Sequence, residues 1–390
     1  MTPLARSSYS RFVSLVLGGF FMGALGCGGN TYPMDGAERA EALDSASPSE
    51  FLSTQEAVGS DYALARVDWL EPAVLTTDTP GFALVSGRAV KVRAFVTAPE
   101  TGAPAPQVQI KVLDAQQRVL ADSTMTSPVA ATVGTQPTLG SLSEAYLFEL
   151  QAEWVQPGLQ VDLTVNSGPS GLDPNPDNNH LLLTPAVDPP NVLYITVVPV
   201  QTQAEGLARL PEEENGPEAT RAALKSLLMA SYPLSDVKVR IHEPYMAKVP
   251  SQLGNWGNLL GEIKDLRIAE GRHGYYLGFI KPAGGTTVGN SFMPGTVAIV
   301  SAGNPWRKGT VMHEMGHNFG RGHVDCGAMD SSGQNWGYNA ESGQMIDPTR
   351  TSNIMSYCSP GWVSHASYLS ILKRFRDRRL DWPTDPDDWQ

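Results

Sequence analysis

From residue 63 the chain alternates short apolar runs with clusters of Pro, Gly, Ser and Thr. The runs at 63–70, 89–96, 108–113, 145–150 and 159–165 have strand length. In Val90-Lys91-Val92-Arg93-Ala94-Phe95-Val96 the run begins apolar, charged, apolar, charged, the period of a half-buried strand. Several such runs separated by turn formers predict an all-β sandwich over 63–188. The segment 173–179 (Asp-Pro-Asn-Pro-Asp-Asn-Asn) offers enough oxygen atoms for calcium. The same residue types build turns, and a turn is the simpler expectation.

Past Pro189 the pattern changes. Residues 192–200 are almost continuously β-branched or aromatic, as in a central strand buried on both faces. Helical spacing follows over 218–230 (Ala222, Leu224, Leu227, Leu228) and 257–269 (Leu259, Leu260, Ile263). Strands are expected at 237–241, 275–280 and 296–301, and helices at 308–319 and 364–379. Tyr368, Leu369, Ile371, Leu372 and Phe375 form the apolar side of the last helix. Its basic end (Lys373, Arg374, Arg376, Arg378, Arg379) suits a helix C-terminus. The second half thus reads as an α/β domain with a mixed sheet over 189–380, followed by an acidic tail at 381–390.

The 390 residues carry a net charge of −12, with 41% hydrophobic and 17% charged residues. That length accommodates two or three domains. The acidic balance argues against nucleic-acid binding and against electrostatic adhesion to anionic lipid. Residues 1–27 read as an export signal: Arg6 and Arg11 precede an apolar, glycine-rich stretch at 12–25 that is too short to span a bilayer comfortably. The stretch ends Ala24-Leu25-Gly26-Cys27, which resembles the bacterial lipoprotein cleavage box, although a larger aliphatic residue is usual where Ala24 stands. This implies a lipid on Cys27 and, with Gly28 following, an outer-membrane or cell-surface location; plain secretion is the alternative. Residues 28–62 lack sustained periodicity and suit a surface tether.

The chemistry concentrates at residues 313–323, His-Glu-Met-Gly-His-Asn-Phe-Gly-Arg-Gly-His. On a helix, His313 and His317 project from one face and can reach one metal ion. Glu314 lies one step round, close enough to act on a metal-activated water without ligating. Gly320 permits the left-handed conformation needed to stop the helix and turn the chain back. The turn would bring His323 to the metal and leave a fourth position open. An acidic third ligand in place of His323 would have to come from Asp330 or Glu341.

Thirty residues on, Asn353-Ile354-Met355-Ser356-Tyr357 resembles the methionine turn of the metzincin zinc metalloproteases. The two motifs in this order resemble that family. The resemblance implies a metzincin catalytic domain preceded by the β-sandwich, with Zn2+ on His313, His317 and His323, Glu314 as general base, and Met355 beneath the metal. It also implies that Tyr357 assists the transition state, as a tyrosine at this offset does in the astacin and serralysin branches. The strand at 296–301 is expected in the region of the substrate cleft. The layout is similar to mucin-cleaving metalloproteases of the StcE and dictomallein type, so the implied partners are extracellular proteins or glycoproteins. Because Cys326 lies three residues past His323 and Cys358 three residues past Met355, both in segments that approach the zinc, and the chain reads as exported, a disulfide between them is expected. A different reading is a surface adhesion or glycan-binding lipoprotein with an inactive peptidase-like domain, against which the intact Glu314 and three histidines weigh. His273 and His365 have no spacing argument and are expected to be structural or surface residues.

Overall fold

A computed structural model describes residues 60–380 apart from 167–172, 253–254, 285–287, 304 and 379. The export signal with Cys27, nearly all of the tether, and the acidic tail lie outside the described residues. No helix among the described residues is long and apolar enough to cross a membrane.

The first half is β-rich. Strands β1 (Ala63–Leu70), β2 (Val90–Thr97), β3 (Gln107–Leu113), β4 (Val119–Thr124), β5 (Tyr146–Leu150), β6 (Gln160–Asn166) and β7 (His180–Leu183) build two antiparallel sheets. One runs β1-β2-β5, with Val74–Leu75 at the edge of β1, and the other β7-β6-β3-β4. Alternation explains the second sheet: Val108, Ile110 and Val112 on β3 are fully buried opposite Val165, Leu163 and Val161 on β6. The first sheet departs from the half-buried expectation, because Arg93 is fully buried. Its guanidinium pairs with Asp68 at 2.7 Å and donates to the Leu139 carbonyl at 2.8 Å. The face expected to meet water is covered by loop 139–141 and by Met345 of the second half. Asp173 accepts from Asn175 N–H and from the Asn179 side chain, so segment 173–179 is organised as a turn.

The second half is α/β. Strand β8 (Val192–Thr202) is followed by α1 (Pro217–Ser231), β9 (Asp236–Ile241), α2 (Trp256–Ala269), β10 (Tyr275–Ile280), β11 (Gly289–Ser291), β12 (Val297–Ser301), α3 (Lys308–Asn318) and α4 (His365–Asp377). Strands β9, β8, β10 and β12 run parallel in that spatial order, and β11 adds antiparallel to β12. Helix α2 packs on Val198, Val200, Tyr276, Ile280, Val297 and Ile299. The opposite face, with Ile195, Val197, Phe279 and Val300, shares its core with α1, α3 and α4. Burial on both faces is why β8, β10 and β12 are continuous apolar runs. Strand 296–301, expected near the cleft, lies inside the sheet; the edge is β11, a Gly-Asn-Ser segment with no apolar pattern to announce it.

The two halves share one apolar core. Polar contacts pin them as well. Arg88 pairs with Glu71 at 2.8 Å and donates to the carbonyls of Met229, Tyr232 and Leu234 at 2.9, 3.2 and 2.7 Å, closing the end of α1. Pro72 presents its carbonyl to Trp362 Nε1 and to Tyr338 N–H. Arg376 near the end of α4 pairs with Asp188 at 2.7 Å, so part of the basic helix end is held against the first half.

Candidate metal centre

Helix α3 ends in a Schellman arrangement. Phe319 is the C-cap, Gly320 N–H reaches the His317 carbonyl at 2.8 Å, and Arg321 N–H reaches the Gly316 carbonyl at 2.9 Å. Gly320 has φ +85°, the left-handed conformation its place in the motif requires. The reversal returns the chain to the helix, where the Arg321 carbonyl accepts from His317 Nδ1 at 2.7 Å.

The turn gathers the three histidines. Their Nε2 atoms form a triangle with sides of 3.1 Å (His313–His317), 3.0 Å (His317–His323) and 3.1 Å (His313–His323). With metal–nitrogen bonds of about 2.0–2.1 Å, a tetrahedral site needs nitrogens roughly 3.3–3.4 Å apart, within a few tenths of this triangle. The tautomers fit too. His313 Nδ1 lies 2.8 Å from the Ile354 carbonyl and His317 Nδ1 2.7 Å from that of Arg321. A carbonyl only accepts, so both Nδ1 atoms carry the proton and both Nε2 lone pairs face the common point. Burial pushes His313 down to about 4, with the Ile354 hydrogen bond opposing and the neighbouring imidazoles adding to the shift. His317 is lowered for the same leading reason. Three imidazole Nε2 atoms gathered at one point can hold a metal ion, and among the described residues this is the one group of His, Cys, Asp or Glu side chains that could.

Glu314 is 6% exposed and sits beside the triangle without joining it. Burial pushes its carboxyl up to about 7, against the opposing pull of the Ser291 hydroxyl, which donates to Oε2 at 2.5 Å. Strand β11 is pressed close here: a Cβ on Gly289 would stand 2.3 Å from Glu314 Oε1. Asn318 donates to the carbonyls of Phe292 and Val297, tying the β11–β12 connection to the end of α3. Gly289, Ser291 and Asn318 carry no motif, and only the paired structure shows their part in the site.

The 353–357 turn supports the triangle from behind. The Asn353 side chain accepts from Met355 N–H at 2.9 Å and donates to Ser364 and Ser367 at the start of α4. Met355 is buried with its sulfur against α3, where a Cβ on Gly316 would approach Sδ to 2.5 Å. The Ile354 carbonyl orients His313, and the Met355 carbonyl accepts from Val324, next to His323. Tyr357 is 80% exposed, with its hydroxyl 2.9 Å from His323 Nε2, at the mouth of the site. Cys326 and Cys358 are joined in a disulfide with a Cα separation of 5.6 Å.

Other candidates fall elsewhere. Glu341 pairs with Lys308 at 2.5 Å. Asp330 accepts from Ser332, Gln334 and Asn335, which holds its carboxyl at about 2, the Ser332 hydroxyl contributing most. His273 and His365 do not line the cleft. That cleft, of about 930 Å³, runs from β11 across the histidines to Tyr357 and Ser359 and also takes in Arg307 and Thr310. No protein-family model matches the chain, and a search of curated proteins returns no match.

Proposed function

We propose that this chain is an exported zinc-dependent endopeptidase of the metzincin type that hydrolyses peptide bonds of extracellular proteins or glycoproteins. The observation that carries this reading is the triangle of three Nε2 atoms, 3.0–3.1 Å apart, with a buried carboxyl one residue from the first ligand. The mixed sheet with an antiparallel edge strand beside the histidine helix is compatible with that family's catalytic domain. The N-terminal signal pattern supports export.

His313, His317 and His323 would hold the ion. Bound zinc would supply Lewis acidity at the attacking water and at the substrate carbonyl. Glu314 takes the proton from the attacking water and passes it to the leaving amine, a role its place beside the three histidines suits. The Ser291 hydroxyl fixes the carboxylate so that one oxygen remains free for the water. Tyr357 swings its phenol toward the developing oxyanion and donates to it. The outer edge of β11 offers backbone groups that an extended peptide can pair with.

The test is a peptide-library digest by the purified protein, with metal analysis. Cleavage is expected to stop with chelator and return with added zinc. Glu314→Ala should keep its zinc and its fold while losing about 10²–10⁴-fold in rate. A zinc-loaded parent that cuts no peptide, or Glu314→Ala cutting at the parental rate, would defeat the proposal.

A further inference from the structure

We infer that the cleft selects substrates with an acidic side chain a few residues from the bond that is cut, and that Arg307 reads it. This deepens the peptidase reading and rests on it. Arg307 is exposed, lines the cleft, and is the N-cap residue of α3, so the helix that carries the ligands also sets its position.

The charges of the cleft wall are few. Glu314 is buried and engaged with Ser291, while Asn290, Thr310, Ser356, Tyr357 and Ser359 are uncharged at neutral pH. Arg307 is therefore the one permanently charged side chain in solvent along the described lining. Its sequence neighbour Lys308 pairs with Glu341, and Arg321, between the second and third histidines, donates to Ser370. The Arg307 guanidinium has no hydrogen-bond or ion-pair partner among the described residues, and α3 has no acidic residue in its first turn to supply one. A free guanidinium is a fork suited to a carboxylate, which it engages through two parallel hydrogen bonds. The chain as a whole carries −12, so this single cation runs against the overall balance and favours an acidic side chain at its position.

Position narrows the reading. From Lys308 to His313 the helix rises about 7.5 Å, and Arg307 precedes it as the N-cap. A peptide extended along α3 would advance about 3.3 Å per residue, which would put the Arg307 contact within about four residues of the scissile bond.

The experiment compares the parent, Arg307→Ala and Arg307→Glu on a peptide library. It then measures kcat/KM for a pair of peptides with Asp or Asn at the position the library selects. The parent is expected to enrich Asp and Glu within about four residues of the cut, more strongly at low salt. In Arg307→Ala the Asp/Asn ratio of kcat/KM should fall roughly three- to tenfold. In Arg307→Glu that ratio should drop below one, with Lys or Arg enriched instead. All three proteins should carry equal zinc. Metal-dependent cleavage without acidic enrichment, or with an Asp/Asn ratio unchanged in both variants, overturns the inference and leaves the peptidase reading standing. No metal-dependent cleavage by the parent overturns both.

Discussion

Removing Arg88 tests whether the β-rich half is part of the metal centre's support. Its guanidinium is 7% exposed and joins Glu71, itself 2% exposed, to three carbonyls at the end of α1. Arg88→Met keeps much of the side-chain volume but leaves a buried carboxylate unpaired and those carbonyls without a donor. Breaking a buried ion pair from one side costs about 3–5 kcal/mol. Burial already raises the Glu71 carboxyl, and Arg88 is the leading force pulling it back down. Without Arg88 the folded-state value rises further above the unfolded one. Protonated Glu71 is then the form the fold tolerates. The deficit should be smallest near pH 4, below the ordinary glutamate value of about 4.3, and should grow as pH rises through the folded value. Adding Glu71→Gln to Arg88→Met should recover part of the loss at neutral pH and flatten its pH dependence. The deficit should also reach the metal. Tyr232, whose carbonyl Arg88 holds, donates its hydroxyl to the Met312 carbonyl, next to His313. The assay is chemical denaturation of parent, single and double variants at both pH values, with zinc affinity measured at neutral pH. Parental stability of Arg88→Met at neutral pH, or a larger deficit in acid, would refute the reasoning.

Gly289→Ala would place a methyl 2.3 Å from Glu314 Oε1 and displace the carboxylate; kcat should fall about 10²-fold with zinc content unchanged, measured by steady-state kinetics and metal analysis. Tyr357→Phe removes only a hydroxyl from an exposed ring, so stability should hold while kcat falls about 10²–10³-fold and KM stays near the parental value. Cys326→Ser with Cys358→Ser opens a loop with a sequence separation of 32 and should lower stability by about 3–4 kcal/mol on the chain-entropy account, read by denaturation of oxidised parent and variant.

Where a segment's own residues determine its structure, the sequence was legible. Continuous apolar runs marked β8, β10 and β12, and helical spacing marked α1, α2 and α4, because burial on one or two faces imposes those periods directly. The Gly320 turn was legible for the same reason: a left-handed residue after a helix has few chemical solutions. What stayed hidden depends on partners distant in sequence. Strand β11 exists because β12 offers an edge, and Gly289 and Ser291 matter because that pairing lays them against Glu314. Arg93 reads as the polar side of a half-exposed strand until loop 139–141 and Met345 cover it. Arg88 looks like an ordinary surface arginine beside Gly87. Its role needs the end of α1, some 140 residues downstream, to be in place.

The charge state of the site follows from what the histidines lean on. His313 and His317 direct Nδ1 to the backbone carbonyls of Ile354 and Arg321, not to carboxylates. A carboxylate there would lend negative charge through the imidazole; a carbonyl orients the ring and lends little. Glu314 is buried and held by Ser291 and does not join the three histidines. Three neutral imidazoles would leave a bound divalent ion most of its charge, facing a cleft whose exposed side chains include a free arginine and no free acid among the described lining. On the proposed peptidase reading, polarisation of a substrate carbonyl would follow from that retained charge and the preference for acidic segments from Arg307. Arg307→Glu, which puts a carboxylate into the cleft, should therefore reverse the selection for acidic segments without touching a ligand.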